Sequence, residues 1–143
     1  MASWLGLDTA GVDDGDLALA TFGALDCEML CVTRGGDGAV LITKKGGWTE
    51  HPGFEVSLFL FTYFYLIHRI GNVTDDVFCL QVSAVDTVGA GDSFLATLLD
   101  SLLDGKAQEV ALERACRIGA FVATKQGATP RHDAEGIKAL KRK

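Results

Sequence analysis

The run from Asp86 to Phe94, which reads Asp-Thr-Val-Gly-Ala-Gly-Asp-Ser-Phe, constrains this chain more than any other feature. The apolar lead Ser83–Thr87 predicts a strand, and leucines at helical spacing follow the run. Three small residues therefore form the turn between a strand and a helix, and small residues let a ligand approach the backbone closely. Because free N–H groups and the helix dipole attract anions at a helix N-terminus, this corner predicts an anion site.

Asp92 adds a carboxylate to the same corner. A phosphate site normally avoids a carboxylate, since like charges repel. One exception is phosphoryl transfer to an alcohol, in which a base accepts the hydroxyl proton while amides hold the phosphoryl charge. The other reading is that Asp92 only caps the helix, a role in which Asp is common. The residues by themselves leave both readings open.

The nine residues resemble the C-terminal signature of the ribokinase-like (PfkB) carbohydrate kinases. The resemblance implies that Asp92 is the catalytic base that deprotonates a sugar hydroxyl. It implies an anion hole for the transferred phosphoryl group, formed by the amides of Gly89, Ala90 and Gly91. It also implies a monovalent cation, usually potassium, at Asp86 and Val88.

A second segment, residues 32–39, resembles the strand-turn-strand that lies beneath the ATP phosphates in that family. By this resemblance Thr33 and Gly35 would contact phosphate, and Gly38 would permit the turn. Read alone, the segment is more simply a glycine hairpin of structural use.

A third segment, residues 123–130, resembles the family's late loop on the adenine side, where Gly127 and Ala128 would line the nucleotide. Read alone, it is an ordinary glycine cap at a helix C-terminus. The three segments in the family's order support one another far more strongly than each does separately.

The resemblance covers residues 17–56 and 82–138 and implies an α/β fold. The expected architecture is the C-terminal part of a three-layer αβα ribokinase-like fold, incomplete, with a small glycine-turn β meander. Apolar runs between glycine turns predict the meander strands at Glu28–Val32, Ala39–Thr43 and Trp48–His51. Apolar periodicity predicts four helices: residues 17–25, a helix from Asp92 that stops at Gly105, 107–125 and 133–141. In the first of these helices we expect Leu17, Leu19 and Ala20 to face inward.

Val56–Gln81 departs from the family pattern, because deleting it joins Gly53-Phe54-Glu55 to Val82 and restores a good match. Leu, Phe and Tyr crowd residues 58–66, while Gly and Ala nearly vanish from the segment. One explanation is an intron retained and translated in frame, since valine codons begin with GT and glutamine can be encoded by CAG. The other is a true insertion that forms an extra strand or a partner surface.

The charge balance is acidic, with 19 Asp and Glu against 13 Lys and Arg, which argues against nucleic-acid and anionic-membrane partners. The apolar run Val56–Ile67 is shorter than the about 20 residues that a bilayer span needs. The four cysteines show no zinc spacing, so we expect inert, reduced thiols and a cytoplasmic protein. None of the three histidines lies in a matching motif, and each is read as an ordinary polar residue.

The resemblance implies an ATP-dependent sugar kinase of fructokinase or ribokinase type, with Mg²⁺ accompanying ATP and a sugar as substrate. A homodimer of the full-length protein is compatible with it. The sugar pocket and the first strands of the parallel sheet would come from a half of the fold that these residues do not match. We therefore expect negligible kinase activity from the 143 residues alone. The alternative is a non-catalytic nucleotide-binding or regulatory relative of the sugar kinases.

Overall fold

The computed structural model of the protein describes residues 14–25, 27–45, 47–57, 82–83 and 86–143. The apolar run after Ser57 and nearly all of the segment that departs from the family pattern lie outside the described residues. The two explanations of that segment therefore stay as stated.

A three-stranded antiparallel sheet forms one layer, as the sequence predicts. Its strands are β1 (Met29–Thr33), β2 (Ala39–Thr43) and β3 (Gly47–His51), in the order β1-β2-β3. Their register pairs Val32 with Val40 and Leu41 with Thr49. All five residues of β2 are buried, because the middle strand is covered on both faces.

The turn between β1 and β2 packs against the chain that follows β3. Gly38 has a φ of 84°, and a side chain there would overlap the carbonyl oxygen of His51. Gly53 has a φ of 87°, and a Cβ atom there would lie 2.6 Å from the carbonyl oxygen of Gly36. Both positions combine a left-handed backbone with a backbone contact, so only glycine fits them.

The helices are α1 (Asp14–Ala24), α2 (Ala90–Leu103), α3 (Gln108–Ala123) and α4 (Ala134–Ala139). Gly105, with a φ of 73°, follows the end of α2 as predicted. The inward face of α1 was wrong for two residues, because Leu19 and Ala20 are exposed. Ala18 is buried there instead and packs on β2, because the sheet lies on that side of the helix.

Helix α3 packs against α2 and against strands β2 and β3, and these elements bury the main core. Its largest fully buried side chains are Phe54, Phe121, Leu41, Leu98 and Leu112. A parallel pairing is present between β4 (Val56–Ser57) and β5 (Val82–Ser83). In the described ranges this short pair is the only parallel pairing, so the fold is α/β and incomplete, as expected.

The last three residues return to the sheet beside the end of β3. The amide of Glu55 donates to the carbonyl of Lys141 at 2.9 Å, and the amide of Lys143 donates to the carbonyl of Gly53 at 3.2 Å. The Lys143 ammonium also pairs with Asp37 of the β1–β2 turn at 2.8 Å. The C-terminus thus ties the turn to the segment after β3.

His51, at the end of β3, connects the sheet to α3. It is 3% exposed, its Nε2 faces the Glu113 carboxylate, and its Nδ1 accepts a hydrogen bond from the amide of Gly53 at 2.9 Å. Arg117 donates to the other oxygen of Glu113 at 2.6 Å and lies 4.5 Å above the Phe54 ring. Burial lowers the pKa of His51 below its usual value of 6.5, and the Glu113 carboxylate opposes this shift only in part.

We expect Leu112→Ala to lower the free energy of unfolding by about 2–5 kcal/mol, because it removes a fully buried side chain from the α2–α3 core. Urea unfolding followed by circular dichroism measures the change. The matched control is Leu103→Ala, since Leu103 is 88% exposed, and it should change stability by about 0.5 kcal/mol or less. Equal losses in the two variants would contradict the packing described.

We expect the free energy of unfolding to fall as the pH drops from about 7 through the range below 6.5. The folded-state pKa of His51 lies below its unfolded value, so in that range the unfolded chain binds more protons, and acid favours unfolding. The pKa of Glu113 is also lowered from 4.5, because the hydrogen bonds from Arg117 and His51 outweigh burial, which raises it. A second loss of unfolding free energy therefore follows at lower pH. Urea unfolding at a series of pH values tests this, and His51→Asn should remove the first loss but not the second. A flat profile between about pH 7 and 5.5 would show that His51 does not titrate as stated.

Candidate functional site

A cavity of about 280 Å³ lies between the meander and the two long helices. On the sheet side it is lined by the β1–β2 turn and the segment after β3, at Thr33, Gly35, Gly36, Gly38 and Gly53. On the helix side it is lined by the start of α2 and one face of α3, at Ala90, Gly91, Phe94, Gly119, Ala120 and Ala123. The cavity therefore brings together two segments that the sequence analysis assigned to ATP and to the phosphoryl group.

The helix side of the cavity is open because its residues are small. Gly119 lets α3 approach the start of α2, since a Cβ atom there would lie 3.2 Å from the carbonyl oxygen of Ala90 and 3.3 Å from the Cβ of Phe94. Ala120 and Ala123 are also small, so they leave open space in the cavity beside Gly119. The wall is largely apolar, which suits a flat ring more than a charged group.

The corner that leads into α2, residues 86–92, keeps some of its backbone amides free to bind a ligand. The amide of Val88 donates to Asp86 Oδ1 at 2.9 Å, and the amide of Ala90 donates to the carbonyl of Thr87 at 3.2 Å. Of the three amides predicted for the anion hole, those of Gly89, Ala90 and Gly91, the Ala90 amide is therefore already engaged. Within the described part of the chain, the amides of Gly91 and of its neighbour Asp92 have no hydrogen-bond partner. An anion at the N-terminus of α2 would find these two donors free.

Asp86 joins this corner to the late loop. Its Oδ2 accepts a hydrogen bond from the amide of Gly127 at 3.2 Å. Gly89 has a φ of 80°, and a Cβ atom there would lie 2.7 Å from the Cα of Ala128. Gly127 and Ala128 therefore lie against the corner, whereas they do not line the cavity.

Asp92 is exposed in the first turn of α2, next to Gly91, and does not line the cavity itself. Asp92 therefore lies beside the cavity and is not part of its wall. The corner is thus neither buried nor closed by the rest of the described chain.

Two cations lie near the glycine turn, and each is paired with a carboxylate. Arg34 donates to Glu50 at 2.6 Å, and Lys143 pairs with Asp37. The Arg34 pair lowers the pKa of Glu50, chiefly through the hydrogen bond. Anion binding at this turn would therefore depend on backbone amides more than on free positive charge.

The cavity also contains residues that the sequence analysis did not single out. Cys116, Gly119, Ala120 and Ala123 form one small-residue face of α3. Gly119 and Ala120 each lie three or four residues from Cys116 and from Ala123, and this spacing was a readable signal because it places the four residues on one side of a helix. Gly53 gave no such signal, since its role depends on a contact with a turn distant in sequence.

The cavity thiol is not a reactive one. Burial raises the pKa of Cys116 to about 12 and that of Cys31 to about 11. A thiol with so high a pKa is almost fully protonated near neutral pH and is a poor nucleophile. For these two residues the expectation of inert thiols is confirmed.

Residues 14–25, 27–45, 47–57, 82–83 and 86–143 contain no group of three or more His, Cys, Asp or Glu side chains arranged to hold a metal ion. In the same ranges, no helix has the length and apolar character required to cross a membrane.

Residues 74–134 match the model of the pfkB family of carbohydrate kinases. An ATP-dependent ribose-1-phosphate kinase from Halopiger xanaduensis is 32% identical over 115 residues, which cover 80% of this chain and 30% of that protein. A putative fructokinase-8 from Arabidopsis thaliana is 42% identical over 71 residues, which cover 43% of this chain and 34% of that protein.

The ribokinase of Thermotoga maritima superposes on 96% of this chain and 36% of its own length, with a TM-score of 0.60 and 20% identity. At that identity the likeness concerns the fold, which is ribokinase-like. The chain spans about a third of the length of the relatives that it matches. The family match, the relatives and the shared fold all show a chain that is similar to the pfkB family of carbohydrate kinases and has a ribokinase-like fold.

Proposed function

We propose that this chain carries the ATP site and the catalytic base of an enzyme that phosphorylates a sugar hydroxyl. The observation that supports this most directly is the cavity, which joins the glycine turn of the meander to the N-terminus of α2. The two segments are distant in sequence, and each resembles a phosphate-contacting element of the same kinase family. Their meeting around one apolar slot is what an ATP site requires.

ATP would enter with its base in the apolar part of the slot. Ala120, Ala123 and Phe94 line the cavity there. The phosphates would extend toward the α2 corner, where the amides of Gly91 and Asp92 are free to donate. Thr33 and Gly35, on the opposite side, would contact the same phosphates.

Asp92 would then serve as the base. Its carboxylate would accept the proton of the sugar hydroxyl, and the hydroxyl oxygen would form a bond to the terminal phosphorus of ATP as the bond to ADP breaks. The open amides of the corner would stabilise the charge on the phosphoryl oxygens during transfer. The exposed position of Asp92 at the rim leaves room for a substrate beside it.

Mg²⁺ would arrive with the nucleotide, because this ion is usually held by phosphate oxygens and only one or two carboxylates. A dedicated cluster of acidic residues is therefore not needed. For potassium, the proposed ligands remain Asp86 and Val88. Both Asp86 oxygens already accept an amide hydrogen bond, and each has a second lone pair that could face a cation.

A second candidate is a non-catalytic nucleotide-binding relative. The observation in its favour is that Asp92 does not line the cavity. Negligible turnover by these 143 residues alone is expected under both candidates. The position of Asp92 relative to bound phosphate separates them better than an activity assay does.

We expect Ala120→Leu to abolish nucleotide binding, because the added side chain would fill the slot against Phe94. Isothermal titration with ATP and Mg²⁺ measures the affinity. Ala96→Leu is the matched control, since Ala96 is exposed on α2 and does not line the cavity. If both variants bind ATP as the unmodified chain does, the nucleotide does not occupy this cavity.

We expect Asp92→Asn to tighten ATP binding several-fold, an effect of the order of one like-charge contact near the surface, and to leave adenosine binding unchanged. The variant removes a negative charge that would lie next to the phosphates. Asp100→Asn is the control, because Asp100 is an exposed carboxylate two turns further along α2. An equal effect on ATP and adenosine, or none on either, would place Asp92 away from the phosphates and would favour the non-catalytic candidate.

A further inference from the structure

His51 is a buried residue that the proposed chemistry does not use. Its two ring nitrogens face different partners: Nδ1 accepts from the amide of Gly53, and Nε2 faces the Glu113 carboxylate. An amide N–H can only donate, and an ionised carboxylate can only accept. The surroundings therefore select the neutral ring with its proton on Nε2.

The Gly53 amide held by His51 belongs to the cavity wall. Gly53 lines the cavity, and a Cβ atom on it would lie 2.6 Å from the carbonyl oxygen of Gly36 and 2.8 Å from the nitrogen of Gly38. Both of these glycines also line the cavity. Because the backbones are in direct contact, a change in the Gly53 peptide would be transmitted to the β1–β2 turn.

Protonation of His51 would place two donors against each other. The ring would gain a proton on Nδ1, which points at the Gly53 N–H group. The charged groups that act on the ring are Glu113 and Arg117 of α3 and Arg142 of the C-terminal segment. The single carboxylate among them lies on the Nε2 side, so none of these three groups accepts the new proton at Nδ1, and the Gly53 peptide must move to separate the two donors.

We propose that His51 is a positioning residue for the cavity: in its neutral form it holds the Gly53 wall against the glycine turn, and its protonation releases that wall and weakens nucleotide binding. This inference rests on the proposed function for the identity of the ligand. The positioning itself rests on the buried His51–Gly53 contact. It makes occupancy of the site fall on acidification.

Two substitutions separate the contacts of His51. In His51→Asn the amide oxygen can take the place of Nδ1 and accept from the Gly53 amide, while the link to Glu113 is lost. In His51→Gln the longer amide can reach Glu113, while the acceptor for Gly53 is lost. Neither variant titrates in the pH range of histidine.

We expect the unmodified chain to bind ATP with Mg²⁺ about tenfold more weakly after acidification from about pH 7.5 to 5.5, which corresponds to the loss of about one buried hydrogen bond. His51→Asn should keep most of the affinity and lose the pH dependence. His51→Gln should bind weakly at every pH. Isothermal titration measures the affinities, and thermal unfolding shows whether each variant is folded.

Equal affinities in the two variants would overturn the proposal, because a merely structural histidine would not distinguish them. A pH dependence that persists in His51→Asn would also overturn it. If the unmodified chain binds no nucleotide at any pH, the proposed function fails, and the amide shifts of Gly36, Gly38 and Gly53 in ¹H–¹⁵N spectra decide on His51. Shifts that titrate together in the unmodified chain but not in His51→Asn support the positioning role, and shifts that do not titrate refute it.

Discussion

The contact between glycine backbones at the end of β3 is the constraint on which the site depends. Gly38 and Gly53 both adopt a positive φ, and neither could carry a side chain without overlapping the backbone opposite. This contact brings the β1–β2 turn next to the segment after β3, and that segment continues through Phe54 into the core. On the other side, Gly119 lets α3 approach the start of α2. The cavity lies between these two glycine contacts, one within the meander and the other between α3 and the start of α2.

The fold was predictable where local patterns determine it. Short apolar runs between glycine turns predicted the meander, and Gly105 predicted the end of α2. The inward face of α1 was not predictable in the same way. Ala18 and Leu19 are adjacent and both apolar, so the local pattern does not say which of them meets the sheet. Tertiary packing determines which residue is buried in such a case, and here the smaller residue, Ala18, lies against the sheet.

The site was predictable where a motif names its residues, and less so where distant segments meet. The Gly-Ala-Gly turn before α2 and the β1–β2 turn were both recognised from the sequence, and the structure brings parts of each to one cavity. The wall on α3 was visible as a small-residue face but carried no motif. His51 was read as an ordinary polar residue, because a sequence does not show that its ring accepts from a cavity amide two residues later.

Helix α2 connects the site to a surface that the described chain leaves uncovered. Leu95, Leu99 and Leu103 repeat every four residues on one face, and their exposed fractions are 51%, 47% and 88%. A helix whose apolar stripe faces away from its own core is suited to packing on a second layer, as in a three-layer fold. The same helix presents Gly91 and Asp92 at its first turn. Any layer that covers the leucines would therefore fix the helix that carries the proposed base, whereas the cavity lies against another face of that helix, at Ala90, Gly91 and Phe94. The described residues therefore line the cavity, but they leave uncovered the leucine face of the helix that carries the proposed base.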